Sequence, residues 1–181
     1  KKWLDERRKF IDKHKDHLYK ETIIAYESQK LPVVYTDGSY LPNKNQYSSS
    51  VVICEEWGSI ATFAKSNKKN RNNIVGELEA LLYALKLVVG LYDFKEFIVV
   101  YDFDQLEQVA RNVLKIKGVQ LALQNEIVQL IDENKLGIHF LNVKSHTGVV
   151  GNSVADAIAK DINKHLGQFD LLRDLTFLTS I

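Results

Sequence analysis

A chain of 181 residues that is 45% hydrophobic and 26% charged has the composition of a globular protein and the length of one domain with an added helix. It holds no apolar run long enough to span a bilayer and no signal-peptide pattern, so neither membrane insertion nor secretion is expected. Cys54 is the sole cysteine, which excludes an internal disulfide and a cysteine-based metal site and suits a reducing cytoplasm. The net charge is only +1, yet residues 1–20 carry eight Lys/Arg against four Asp/Glu while the rest carries 16 against 19. A near-neutral body of this kind restricts any phosphate contacts to local patches. The sequence opens on Lys1 without a methionine, so a fragment or processed product is expected.

Residues 1–30 read as a helix without glycine, with Trp3, Phe10, Ile11, Leu18, Ile23 and Ile24 set among charges. Pro32 and the β-formers after it mark a boundary, making residues 1–31 a helical extension. Three β-type stretches follow at Val33–Asp37, Ser48–Glu55 and Ser59–Lys65, joined closely enough for an antiparallel meander. Asp37 ends the first, and Gly38 and Ser39 are expected to turn the chain there. The basic loop SNKKNRNN (66–73) leads to the clearest helix, Ile74–Val89, whose apolar residues recur at the 3.6-residue period up to Gly90.

FIVVYD (97–102) is an apolar strand that also stops at an aspartate. Leu106, Val109, Ala110, Val113 and Leu114 mark a second helical stripe closed by Gly118. Leu123, Ile127, Leu130 and Ile131 mark a third. IHFLNVK (138–144) reads as a fifth strand, Val150–His165 as a last helix, and the apolar tail 167–181 has no assignable place. The order implies an α/β domain over 32–166: a mixed five-stranded sheet, three antiparallel strands then two parallel, flanked by helices.

In open α/β sheets, sites form beyond the carboxyl ends of the strands. If the first and fourth strands are parallel neighbours, Asp37 and Asp102 meet at one rim, where each carboxylate raises the other's pKa. At 100° per residue, Glu77 falls at the margin of the helix's apolar arc and leans toward the sheet, whereas Glu79 points away. Asp156 lies off the stripe of Val154, Ile158, Ala159 and Ile162, and His146 sits in a glycine-rich loop. Singly, each has an ordinary role: a turn cap, a charge at a helix start, a solvated histidine. Together, four carboxylates converging on one rim offer hard oxygen ligands for Mg²⁺ or Mn²⁺, and two such ions can flank a phosphate. No nucleophile triad, P-loop or dinucleotide fingerprint is present.

YTDGSY, NNIVGELEALLYAL, VVYDFDQL and VKSHTGVVGNSVADAIAK, in that order and spacing, resemble a type 1 ribonuclease H over about residues 32–165. The resemblance implies the ribonuclease H-like fold and endonucleolytic hydrolysis of the RNA strand in RNA/DNA hybrids, leaving a 3′-hydroxyl and a 5′-phosphate. It makes Asp37, Glu77, Asp102 and Asp156 the carboxylates that hold two Mg²⁺ (or Mn²⁺) ions, with Asp37 bridging both. Asp156 would share the water-activating ion, and Glu77 and Asp102 would hold the leaving-group ion. His146 would assist water positioning or product release.

The same resemblance makes Gly38, Ser39, Asn72 and Asn73 contacts to the nucleotides near the cut. Lys68, Lys69 and Arg71, in the basic loop leading to the helix, are expected to meet phosphates. A cytoplasmic monomer is expected, either free or as part of a larger polypeptide, with no membrane partner. The chain departs from the family where many members have Ser-Gln after the third carboxylate and this one has Phe103-Asp104, and where Ser153 stands at a frequent Glu. The basic, Trp-rich protrusion of some members is missing between Asp102 and Ile138. Two other readings stay open: a DNA-directed nuclease of the same superfold, and a catalytically degenerate binding or connecting module.

Overall fold

The computed structural model describes residues 20, 24, 25, 27–29, 31–41, 46–54, 60–67, 73–144, 155, 156, 160 and 176–179. Of the helix expected over 1–30, residues 20, 24, 25 and 27–29 are helical and the remainder lies outside the described residues. Most of the last expected helix also lies outside them.

β1 (Val33–Leu41), β2 (Gln46–Cys54) and β3 (Ile60–Asn67) form the expected meander, and β4 (Glu96–Tyr101) and β5 (Gly137–Asn142) add to the free side of β1 in parallel. The tail that the sequence leaves unplaced supplies a sixth strand, β6 (Thr176–Thr179), paired antiparallel with Ile60–Phe63 of β3. The sheet order is therefore β5-β4-β1-β2-β3-β6. Strands β1 and β4 sit in its interior, and Val33, Val34, Tyr35 and Phe97–Tyr101 are all buried. Such continuous apolar runs are those of strands covered on both faces.

Helix α1 (Asn73–Leu87) covers one part of the sheet, and its buried Leu78, Leu81 and Leu85 join Val34, Ile53, Phe97 and Val99 in one core. Each fully buried Leu contributes about 1.5–3 kcal/mol. Gly90 does not end this helix. The chain continues through a π-helical turn (Val88–Tyr92) and stops at Asp93, whose φ of 54° is left-handed. Gly90 is exposed and has open space where a Cβ would stand, so it neither caps nor packs.

The second expected helix is also cut short. α2 (Leu106–Ala110) ends before Asn112, which has φ 61°, and Val113 is 75% exposed rather than part of a buried stripe. The reason is a buried amide. Gln124, on α3 (Val119–Asn134), donates from Nε2 to the carbonyls of Val109 (3.1 Å) and Leu114 (2.6 Å), satisfying groups that a longer helix would have paired internally. No described helix is long and apolar enough to cross a membrane.

Candidate functional site

The parallel register of β1 and β4 pairs Val33 with Ile98, Val34 with Val99 and Tyr35 with Val100. Continued by two residues, it sets Asp37 opposite Asp102. Here β4 has ended and β1 has not: Asp37 lies mid-strand, paired with Ser50 of β2, and the strand runs on to Leu41. The turn expected at Gly38 and Ser39 is thus a strand, and glycine is needed at 38 for another reason. A Cβ there would stand 2.6 Å from the Glu77 nitrogen and the Gly76 carbonyl carbon. The bare Cα lets the first turns of α1 lie against β1, and this close approach delivers Glu77 to Asp37.

Carboxylate oxygens of Asp37, Glu77 and Asp102 all lie within 4.8 Å of one another. Asp37 is 2% exposed and Glu77 7%, while Asp102 is half-buried. The Gly38 N–H donates to Asp37 Oδ1 at 2.9 Å, but the buried Asp37 Oδ2 and Glu77 Oε2 have no partner. Burial raises the pKa of Asp37 above the usual carboxylate range, and the charges of Glu77 and Asp102 add to the rise. Burial does the same to Glu77, reinforced by Asp102 and opposed by hydrogen bonds from Asp37 and the Gly38 backbone. Two charges at that 4.8 Å limit repel by about 3.5 kcal/mol at an effective dielectric constant of ~20. A proton shared between the two carboxyls relieves this, and so does a cation.

Asp156 faces the same cleft from a helical segment, with 21% of its side chain exposed. Its charge is felt at both Asp37 and Glu77. Lys160, one turn on, pairs with its Oδ2 at 2.8 Å, and the carboxylates of the cleft hold the ammonium pKa above its ordinary value, Asp156 foremost. The cleft is open, with a volume of about 440 Å³, and Gly38, Phe103, Asp104 and Gln105 complete its wall. An all-oxygen donor set with orphaned buried oxygens fits a hard divalent cation such as Mg²⁺ or Mn²⁺.

Of the other residues singled out from sequence, Ser39 is a buried residue of β1 and Asn73 opens α1. Lys68, Lys69, Arg71, Asn72, His146 and Ser153 lie outside the described residues. Asp104, one of the departures, lines the cleft and is approached by Asn142 Nδ2 at 3.5 Å. Sequence reasoning missed Gln105 and Lys160. The second was findable, because a cation four residues after a helical aspartate lies on its face.

The sequence profile of the RNase H family matches residues 29–164. Among solved structures, RNase H1 from Halobacterium salinarum is similar at 19% identity and TM-score 0.62, covering 74% of this chain and 98% of that one. An N-terminal RNase H domain from Mycobacterium tuberculosis is similar at 21% identity and TM-score 0.63, over 76% and 96%. LC11-RNase H1, isolated from compost by a metagenomic approach and solved in complex with RNA/DNA hybrid, is similar in that complex at 24% identity and TM-score 0.61, over 75% and 99%. No curated protein sequence matches significantly.

Proposed function

Because the chain belongs to the RNase H family, we propose that it is an endoribonuclease that hydrolyses the RNA strand of RNA/DNA hybrids. The observation that carries this reading is the meeting of Asp37, Glu77 and Asp102 within 4.8 Å, two of their buried oxygens unsatisfied, in a cleft that Asp156 also lines. That cleft is open enough to admit a backbone phosphate, and the hybrid bound to the compost enzyme shows what a relative of this fold holds.

In this mechanism Asp37, rooted mid-strand, would be shared by both ions, Asp156 would join it in holding the water-activating ion, and Glu77 and Asp102 would hold the leaving-group ion. Bound there, a pair of Mg²⁺ or Mn²⁺ ions would activate water and neutralise charge on the departing 3′-oxygen. The protein's own task is to hold four carboxyl groups close together against their mutual repulsion. Lys160, ion-paired with Asp156, is a local counter-charge on the exposed flank. His146 would assist water positioning or product release, and Gly38, Ser39, Asn72 and Asn73 would contact the nucleotides near the cut, where the ribose 2′-hydroxyl distinguishes RNA from DNA. Lys68, Lys69 and Arg71 would meet phosphates. The catalytic unit is placed at residues 32–166, working as a monomer in a reducing cytoplasm.

End-labelled RNA annealed to DNA, incubated with and without Mg²⁺ beside RNA-duplex and DNA-duplex controls, tests the reading. Mg²⁺-dependent cutting of the hybrid alone, with 5′-phosphate products, is the expected result. Cutting of duplex DNA would transfer the site to a DNA nuclease, and hybrid binding without cutting would make it a binding module.

A further inference from the structure

β2 carries three consecutive buried serines, Ser48, Ser49 and Ser50, immediately before the apolar run Val51–Cys54. Serine is a poor occupant of a strand interior, and a buried hydroxyl is costly unless it is hydrogen-bonded. The two that follow Ser48 have informative partners. Ser49 Oγ donates to the Gly76 carbonyl at 2.7 Å, and Ser50 Oγ donates to the Ala155 carbonyl at 2.5 Å. Gly76 precedes Glu77, and Ala155 precedes Asp156. Each hydroxyl thus grips the peptide unit that leads into one carboxylate of the cleft.

Neighbouring strand residues point to opposite faces of a sheet. Ser49 reaches α1 on one side, and Ser50 reaches the helical segment of Ala155 and Asp156 on the other. The same two serines pair across the ladder with Gly38 and Asp37. One short piece of β2 is therefore tied directly to Asp37, to the backbone of Glu77 and to the backbone of Asp156, although these lie far apart in the chain.

From this we infer that Ser49 and Ser50 are positioning residues that fix the cation-ligand geometry of the cleft, Ser49 through Glu77 and Ser50 through Asp156. The inference rests on the reading of the cleft as a divalent-cation centre. Neither serine lines the cleft, and both hydroxyls are bonded to main-chain carbonyls. Their effect is on where the carboxylate oxygens stand when the cation arrives, a role in which loss of the supporting hydrogen bond typically weakens affinity 10–100-fold.

Mn²⁺ binding to the full chain, measured calorimetrically without nucleic acid, reads this directly. Ser50→Ala is expected to weaken Mn²⁺ binding by roughly 10-fold. The Mg²⁺ concentration for half-maximal hybrid cleavage rises by the same factor, while KM for the hybrid at saturating Mg²⁺ stays unchanged. In an Asp156→Asn background the same substitution adds less than about a further twofold loss, because its effect passes through the carboxylate already removed. Ser49→Ala behaves likewise against Glu77→Gln.

A merely packing role gives a different pattern: a lower Tm with wild-type Mn²⁺ affinity, or an undiminished extra loss in the Asp156→Asn background. Either result overturns the inference. Ser50→Cys, close in volume but a weak donor, carries the same measurement should the alanine variant not purify folded. Wild-type protein that binds Mn²⁺ yet leaves the hybrid uncut would refute the nuclease reading, and the calorimetry would still decide the role of the serines.

Discussion

Replacing Asp37 by Asn should stabilise the cation-free protein while abolishing its chemistry. Asp37 is 2% exposed, its Oδ2 has no partner, and it shares the space within 4.8 Å with Glu77 and Asp102. The substitution keeps shape and the acceptor for the Gly38 N–H, removes one charge, and supplies an amide donor to the orphaned Glu77 Oε2. The repulsion relieved is about 3.5 kcal/mol per pair at an effective dielectric constant of ~20. Proton uptake by the raised carboxyls already relieves part of it at neutral pH, so a net gain of about 2 kcal/mol is expected, or ~4–8 °C in Tm for a chain of this size. Mg²⁺ should raise the Tm of the wild type and hardly move that of the variant.

The pH dependence has a defined sign. Asp37 and Glu77 both have pKa values raised in the folded state, chiefly by burial. The folded protein therefore holds their protons more tightly than the unfolded chain does. That stabilisation is complete below the unfolded values near 4 and is lost as pH rises through the folded values. Cation-free wild-type Tm should fall from mildly acidic toward alkaline pH, with a shallower fall in Asp37→Asn or in Mg²⁺. Differential scanning fluorimetry in EDTA and in millimolar Mg²⁺, across pH, measures all of this. A less stable variant in EDTA, or one that gains as much from Mg²⁺ as the wild type, would refute the electrostatic account of the cleft.

Asp102→Asn and Asp156→Asn should each lower hybrid cleavage by at least ~10³-fold with circular dichroism unchanged, since each removes a proposed ligand from a cleft wall rather than from the core; retained turnover in either would exclude that residue from the ligand set. Gly38→Ala should cost about 1–3 kcal/mol and weaken Mg²⁺ binding, because its Cβ would stand 2.6 Å from the Glu77 nitrogen and push α1 away from Asp37; a Tm and Mg²⁺ affinity equal to wild type would show that the helix is not seated by this contact. Deleting residues 1–30 removes a net charge of +3 but spares the Pro32 carbonyl that accepts from Ile98 N at 2.9 Å. It should raise KM for the hybrid and flatten its salt dependence, whereas unchanged kinetics would remove the extension from substrate binding.

What the sequence made legible was whatever depends on local pattern. The apolar runs at 33–35 and 97–101 and the periodicity of Leu78, Leu81 and Leu85 identify strands and helix without knowledge of their neighbours. Apart from Gly90, the residues whose reading changes take their surroundings from distant parts of the chain. Gly38 has the signature of a turn, yet its constraint is the backbone of Gly76 and Glu77, invisible until α1 is docked. The second helix is shorter than its apolar stripe suggests, because Gln124 completes the hydrogen bonding of Val109 and Leu114 from another element. β6 is a strand by virtue of the edge that Ile60–Phe63 offers it.

The candidate site divides along the same line, and the division has a physical origin. Carboxylates are conspicuous in sequence because burying them is costly, so an Asp closing an apolar run already asks for a compensating charge. The groups that enforce their convergence are inconspicuous, because glycine and serine cost little anywhere. Gly38 acts by having no side chain, and Ser49 and Ser50 by hydrogen bonds to carbonyls whose own sequence context is unremarkable. The repulsion among the carboxylates must nevertheless be held by something stiffer than the carboxylates themselves. Here it is held by the sheet: β1 is fixed through to Leu41 by β2, and β2 in turn holds the peptide units ahead of Glu77 and Asp156. A cleft assembled in this way would be preorganised for a cation, and binding energy would not be spent on gathering ligands. Substitutions that loosen the serine or glycine contacts should therefore appear first in cation affinity and only afterwards in the stability of the fold.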